Sequence, residues 1–187
     1  MALVRAARQG LEDWAGGQSI HSQGFKPSRI EFIHTLNHSR SGVPVVPRRL
    51  LPLSIKTRLG FDCVVVERWV EHLLEARPAA ITLHGRTLQQ MYRGAADWSA
   101  IAEAAKLAHG TGTLMLGNGD LNTLVDAIRR AAESKVQGVL VGRGTLGSPW
   151  FFREKEQARR AFSEWDDLST LPATAWEPQV SVNHRMQ

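Results

Sequence analysis

Between Leu51 and Trp150 one unit repeats four times: a short apolar run, a cluster of polar and glycine residues, then a helical pattern. The clusters are Lys56-Thr57-Arg58-Leu59-Gly60, His84-Gly85-Arg86-Thr87, Asn118-Gly119-Asp120 and Gly142-Arg143-Gly144. Strands that alternate with helices pair in parallel, because parallel neighbours need a crossover of a dozen or more residues. Strand starts near 51, 79, 111 and 136 leave 25–32 residues per unit, the length a βα pair requires. In parallel α/β folds ligands bind at the carboxyl ends of the strands, and all four clusters fall there. The order, a helix followed by four βα units, suits the second half of a (βα)8 barrel or a short open doubly wound sheet.

Each element has a local cause. Residues 1–14 place Leu3, Ala6, Ala7, Leu11 and Trp14 on one helical face, and Gly16-Gly17 ends that helix. Residues 15–50 are rich in Ser, His, Gly, Pro and basic side chains; they read as a long connection. One short helix is embedded there, opened by Pro27-Ser28, carrying Ile30, Ile33 and Leu36, and closed by Gly42-Val43-Pro44. The four strands are expected at Leu51–Lys56, Ala79–Leu83, Thr111–Leu116 and Val136–Val141. The helix after the first strand carries Val65, Val66, Trp69, Val70, Leu73 and Leu74. The next carries Trp98, Ile101, Ala102 and Ala105, with Asp97 as N-cap, and the third carries Leu121, Leu124, Val125 and Ile128, started by Asp120. Ser148-Pro149 would open a fourth helix, proline being suited to its first position. Three regions follow: a helix and basic linker over 1–50, the α/β part over 51–162, and an irregular or disordered tail over 163–187.

At 187 residues the chain is shorter than the roughly 250 of a complete eight-stranded α/β barrel. No apolar run approaches the roughly 20 residues that span a bilayer, and no secretory signal follows Met1. The single cysteine, Cys63, forms no internal disulfide and fits a cytoplasmic protein with no membrane partner. Charge is concentrated: residues 1–60 hold nine Lys/Arg against three Asp/Glu, whereas 61–187 hold 14 against 15. A basic first third suits a polyanionic partner or simply a solvated surface.

The chemistry lies in the clusters. Glycines at 119 and 142 let backbone N–H groups approach a phosphate, and Arg143 adds charge-assisted bonds. Phosphate sites in α/β barrels are often built after the last two strands. Lys56 would set a positive charge, and His84 a hydrogen-bonding imidazole, against an electron-rich ring.

Taken in order, these segments resemble the tRNA-dihydrouridine synthase family of flavoenzymes. The resemblance rests on Pro52-Leu53-Ser54-Ile55-Lys56-Thr57-Arg58-Leu59-Gly60 and on Ile81-Thr82-Leu83-His84-Gly85-Arg86-Thr87. It continues through Gln90-Met91-Tyr92-Arg93-Gly94-Ala95-Ala96-Asp97-Trp98, Gly117-Asn118-Gly119-Asp120, Gly138-Val139-Leu140-Val141-Gly142-Arg143-Gly144 and Pro149-Trp150. It implies the C-terminal half of an FMN-binding (βα)8 TIM barrel, here about four βα units preceded by a helix. It also implies reduction of the uracil C5=C6 bond of uridine in tRNA, with NADPH as reductant. By the same resemblance Lys56 and His84 face the flavin ring. Asn118, Gly119, Asp120, Gly142 and Arg143 hold the ribityl chain and phosphate, and Arg58 and Arg86 serve the substrate RNA. The family's catalytic cysteine and N-terminal flavin segment belong to units preceding Lys56, and Cys63 follows the wrong strand to replace that cysteine. No catalytic residue and no metal ligand is therefore assigned to this chain, which would be inactive alone as a fragment or split form. The family's C-terminal helical RNA-binding domain is likewise not matched. The missing half-barrel or a second copy would be its partner. Two rivals stand beside this reading: a non-catalytic FMN-, phosphate- or RNA-binding half-barrel module, and another FMN barrel of the old-yellow-enzyme type, which the Gln90–Trp98 block disfavours.

Overall fold

Two helices precede the repeating part. α1 (Ala2–Ala15) stops where the Gly16 N–H donates to the Glu12 carbonyl at 2.7 Å and Gly17 turns to φ +94°. Its half-buried stripe is Val4, Arg8, Leu11 and Ala15, not the expected Leu3–Trp14 face: Leu3 is 87% exposed. α2 (Pro27–Ser41) is longer than the short helix expected, since no breaker intervenes before Gly42, and a 3-10 turn, Ile20–Gln23, precedes it. The computed structural model describes residues 1–41, 48–148 and 150–151, so the expected tail over 163–187 and a helix opened by Pro149 lie outside the described residues. A first compact unit, Met1–Leu53, ends before the sheet, and a second begins at Ser54. No helix among the described residues is long and apolar enough to cross a membrane.

The second unit runs β1 (Ser54–Arg58), α3 (Val66–Leu74), β2 (Ala80–His84), α4 (Trp98–Ala108), β3 (Leu114–Asn118), α5 (Leu124–Ser134) and β4 (Gly138–Leu140), then a 3-10 turn, Arg143–Thr145. All pairings are parallel and the sheet order is β1-β2-β3-β4. A doubly wound sheet reverses strand order at a switch point, so the strictly sequential order decides for the barrel type, with four of its eight strands in this sheet.

β1 and β3 sit two to three residues later than the apolar runs suggested: the strands continue into Lys56-Thr57-Arg58 and Asn118. Backbone pairing, not apolarity, sets where a parallel strand ends. β4 is trimmed at both ends, to Gly138–Leu140.

Along each strand alternate side chains take opposite faces. Ile81, Leu83 and Met115 are fully buried, as are Val70 and Leu73 of α3 and Ile101 of α4. On this helix-covered face the Trp69 indole N–H donates to Thr57 Oγ1 at 2.9 Å. Leu124, at the start of α5, is buried against Phe151, with Val125, Ile128 and Val141 around them. The opposite face is more open: Leu114 is 52% exposed and Leu116 half-buried.

Caps fix the helix starts. Asp97 accepts the Ala100 N–H at 2.9 Å, the N-cap expected of it. Asp120 does not start α5 as expected; Thr123 does, accepting the Asp126 N–H at 3.0 Å. Asp120, at φ +49°, spends its carboxylate elsewhere.

Candidate functional site

Parallel register places Arg58 beside His84, His84 beside Asn118, and Asn118 beside Leu140. One row of residues thus crosses all four strands at their carboxyl ends. Lys56, two residues before Arg58, shares the face of this row. Its ammonium donates to Asn118 Oδ1 at 3.1 Å, and Asn118 Nδ2 donates to the Leu140 carbonyl at 2.8 Å. The first, third and fourth strands are tied together by this relay.

A cleft of about 260 Å3 lies over the row, lined by Lys56, Arg58, His84, Tyr92, Asn118 and Arg143 among others. Gly119, Asp120 and Gly142 complete the expected set along its wall. Every cofactor residue expected from the sequence therefore meets at one place. Arg58 meets them too, its guanidinium held by the Thr87 carbonyl at 2.9 Å.

Arg86 does not face the cleft as a substrate-side residue would. Its side chain is 3% exposed, and its Nη2 donates to Asp120 Oδ2 at 2.6 Å and to the Gly94 carbonyl. Asp120 Oδ2 also accepts the Ala96 N–H at 2.7 Å, while Oδ1 meets Arg143 at 3.1 Å. Burial pushes the Asp120 carboxyl up, but the Ala96 N–H, the Arg86 guanidinium and the charge of Arg143 outweigh it and hold it below the usual carboxylate range. Asp120 is therefore an anion bridging two cations.

Close packing requires glycine at several points around the cleft, Gly117 and Gly119 among them. A Cβ on Gly117 would stand 2.5 Å from the Trp98 ring. At Gly119, with φ +134°, it would stand 2.6 Å from the Ala96 methyl and 3.3 Å from the His84 ring. The Trp98 indole N–H donates to the Gly119 carbonyl at 3.1 Å, fixing the turn from beneath. By contrast, a Cβ on Gly142 would meet nothing within 4 Å, so that end of the cleft has room for a ligand.

The electrostatics favour an anion. Among the described residues Lys56, Arg58 and Arg143 face the cleft against one carboxylate, that of Asp120. Burial lowers the Lys56 ammonium below its ordinary value, helped by the charge of Arg58. Burial, then the charges of Arg58, Lys56 and Arg86, push the His84 imidazole down to about 4. At neutral pH His84 is an uncharged hydrogen-bonding group beside permanent cations.

Cys63 lies apart. It is exposed and lines a different hollow with Asp62, Thr87 and Arg93, and hydrogen bonding to Asp62 pushes its thiol up, away from the reactive thiolate.

Reading the clusters missed Tyr92, Leu121, Asn122 and Leu140 of the cleft lining, and of these Tyr92 meets a site cation. Tyr92 is 64% exposed, and the Arg143 guanidinium lies over its ring, 4.9 Å from the centroid. Its signal was its place as the chain's one tyrosine within the polar segment between β2 and α4.

The family model described as dihydrouridine synthase matches residues 38–180. Among curated proteins, the chain is 40% identical over 109 residues to a probable tRNA-dihydrouridine synthase of Aquifex aeolicus, covering 58% of this chain and 34% of that one. It is 38% identical over 115 residues to one of Mycobacterium leprae, covering 58% and 28%. A tRNA-dihydrouridine(47) synthase (NAD(P)(+))-like protein of Xenopus tropicalis is 34% identical over 122 residues, covering 64% and 18%. The matched part thus spans between 18% and 34% of the length of these relatives.

Proposed function

The chain belongs to the dihydrouridine synthase family, and on that premise we propose that it forms part of a tRNA-dihydrouridine synthase whose strand-end cleft holds FMN. The observation that carries this reading is the meeting of Lys56, His84, Asn118, Asp120 and Arg143 around one cationic cleft. When bound, FMN would supply hydride drawn from NADPH to the uracil C5=C6 bond of a uridine in tRNA.

The residues present fit such a cofactor. Arg143 and the open backbone at Gly142 suit its phosphate, since a guanidinium matches phosphate oxygens and no Cβ obstructs their approach. Asn118 and the Gly119-Asp120 turn suit the ribityl hydroxyls. Lys56 and neutral His84 stand over the sheet where the ring would lie, one a cation and the other a hydrogen-bond partner. Arg58 is the cleft residue left for the RNA. A cytoplasmic setting belongs to the same reading, as the place of tRNA maturation.

Proton delivery to the uracil is a role that no cysteine of this chain fills, because Cys63 is outside the cleft and held as a thiol. The chain alone is therefore expected to bind FMN without turnover, which is the binding-module reading applied to the isolated chain. The open sheet face bearing Leu114 would be covered by the complementary half of the barrel or by a second copy. The test combines the full chain with FMN, NADPH and unmodified tRNA and assays dihydrouridine. The expected result is saturable FMN binding with no product. Product formation would refute the inactive-alone assignment, and absence of FMN binding would refute the cofactor site.

A further inference from the structure

Arg86 is the most deeply buried charge among the described residues of this region, and nothing in the proposed chemistry uses it. Two of its guanidinium nitrogens, Nε and Nη1, are buried without a hydrogen-bond partner among the described residues. A buried arginine stays charged and is costly to hold in such surroundings. All its described side-chain bonds converge on one corner: the Asp120 carboxylate and the Gly94 carbonyl. Asp120 in turn grips the Ala96 N–H and Arg143. The chain Arg86–Asp120–Arg143 thus runs from the interior to the cleft and links the exits of β2, β3 and β4.

Its charges alternate. Without Arg86, the Asp120 carboxylate would be balanced by Arg143 alone, and the pair would present no net charge to an incoming anion. With Arg86 in place, the three groups together carry one positive charge, and it is expressed at Arg143, which is 57% exposed. A phosphate would otherwise have to compete with an uncompensated carboxylate for the same guanidinium.

We propose that Arg86 is a positioning residue for a phosphate monoester: acting through Asp120, it compensates that carboxylate and leaves Arg143 available to the ligand's phosphate. This rests on the cofactor reading above, taking Arg143 as the phosphate ligand. Arg86 itself touches neither ligand nor substrate.

The test titrates the full chain with FMN and with riboflavin, which lacks the phosphate, following flavin fluorescence. Arg86→Met should weaken FMN about tenfold and riboflavin less than twofold. Adding Asp120→Asn to that variant removes the uncompensated charge and should recover most of the FMN affinity. A purely structural Arg86 would instead weaken both flavins alike, and Asp120→Asn would not restore the difference between them; either result overturns the proposal. If Arg86→Met fails to fold, Arg86→Gln removes the charge but can still donate a hydrogen bond, and its FMN-to-riboflavin preference should fall about fivefold. An unchanged preference in that variant overturns the proposal. A ligand-free measurement separates this inference from the cofactor reading. Titrating the Asp120 carboxyl by carbon NMR should show it rising in the Arg86 variant, and an unmoved titration refutes the Arg86–Asp120 link whatever the flavins do. Equal FMN affinity in Arg143→Ala and the unaltered chain would instead refute the phosphate assignment on which the proposal depends.

Discussion

At the ends of β2 and β3 the rim is pinned from below, whereas at the end of β4 it stands open. Gly117 and Gly119 press against Trp98 and Ala96, the Trp98 indole holds the Gly119 carbonyl, and Arg86 is enclosed. Beyond β4, Gly142 faces open space, and Arg143 is held only by Asp120 and the Tyr92 ring among the described contacts. Both regions present glycines and charges in similar tripeptides; beyond β4 only Gly144 is packed, a Cβ there standing 2.4 Å from the Leu121 carbonyl, while Gly142 and the Arg143 side chain stay open and adjustable. The difference teaches that the β2–β3 side supplies geometry while the β4 side supplies binding charge. Changes on the first should cost stability, and changes on the second should cost affinity.

The largest expected effect breaks the pinned side. Gly119→Ala forces a methyl onto Ala96 at a φ that side chains rarely adopt, and should lower unfolding free energy by about 3 kcal/mol. Urea denaturation measures it, and a loss below about 0.5 kcal/mol would mean that the turn is not tightly held. Next, Arg143→Ala should weaken FMN about tenfold while leaving the urea midpoint unchanged, and Lys56→Ala should change FMN affinity less than threefold. A midpoint that falls with Arg143→Ala would erase the contrast between the two sides. Trp98→Phe removes the indole N–H beneath Gly119 and should cost about 1 kcal/mol of stability, read from the same denaturation curves.

A further effect is with pH. His84 in the folded chain titrates at about 4, below the ordinary 6.5, so between these values the unfolded chain takes up a proton that the folded chain refuses. The contribution is fully present above pH 6.5 and is lost as pH falls toward 4. Melting temperature should therefore drop less steeply across that window in His84→Asn than in the unaltered chain. Parallel slopes would show that His84 is not held neutral by its burial and its cationic neighbours.

Much of the architecture was legible without coordinates. The four-fold alternation of apolar run, polar cluster and helical stripe specified a parallel sheet, and Asp97 announced the start of α4. The cleft residues Lys56, His84, Asn118, Gly119, Asp120, Gly142 and Arg143 were all named by their place after an apolar run. Such features are local: strand and helix periods and cap bonds involve residues within a few positions of one another.

Tertiary structure decided everything that depends on partners far apart in the chain. The sequential strand order chose the barrel type over the doubly wound sheet. Arg58 ends β1 and Arg86 lies just beyond the end of β2, yet Arg86 turns inward to a carboxylate 34 positions away while Arg58 lines the cleft. Asp120 looked like a helix cap and became a bridge between two arginines, because Thr123 satisfies the helix start and register brings Arg86 within reach. Trp98 looked like an ordinary core residue, and packing placed its ring against Gly117 of β3 and its indole N–H on the Gly119 carbonyl just beyond. Apolar pattern says which face of an element is buried, but ion pairs and close backbone approaches depend on strand register and helix placement, which no short stretch of sequence encodes.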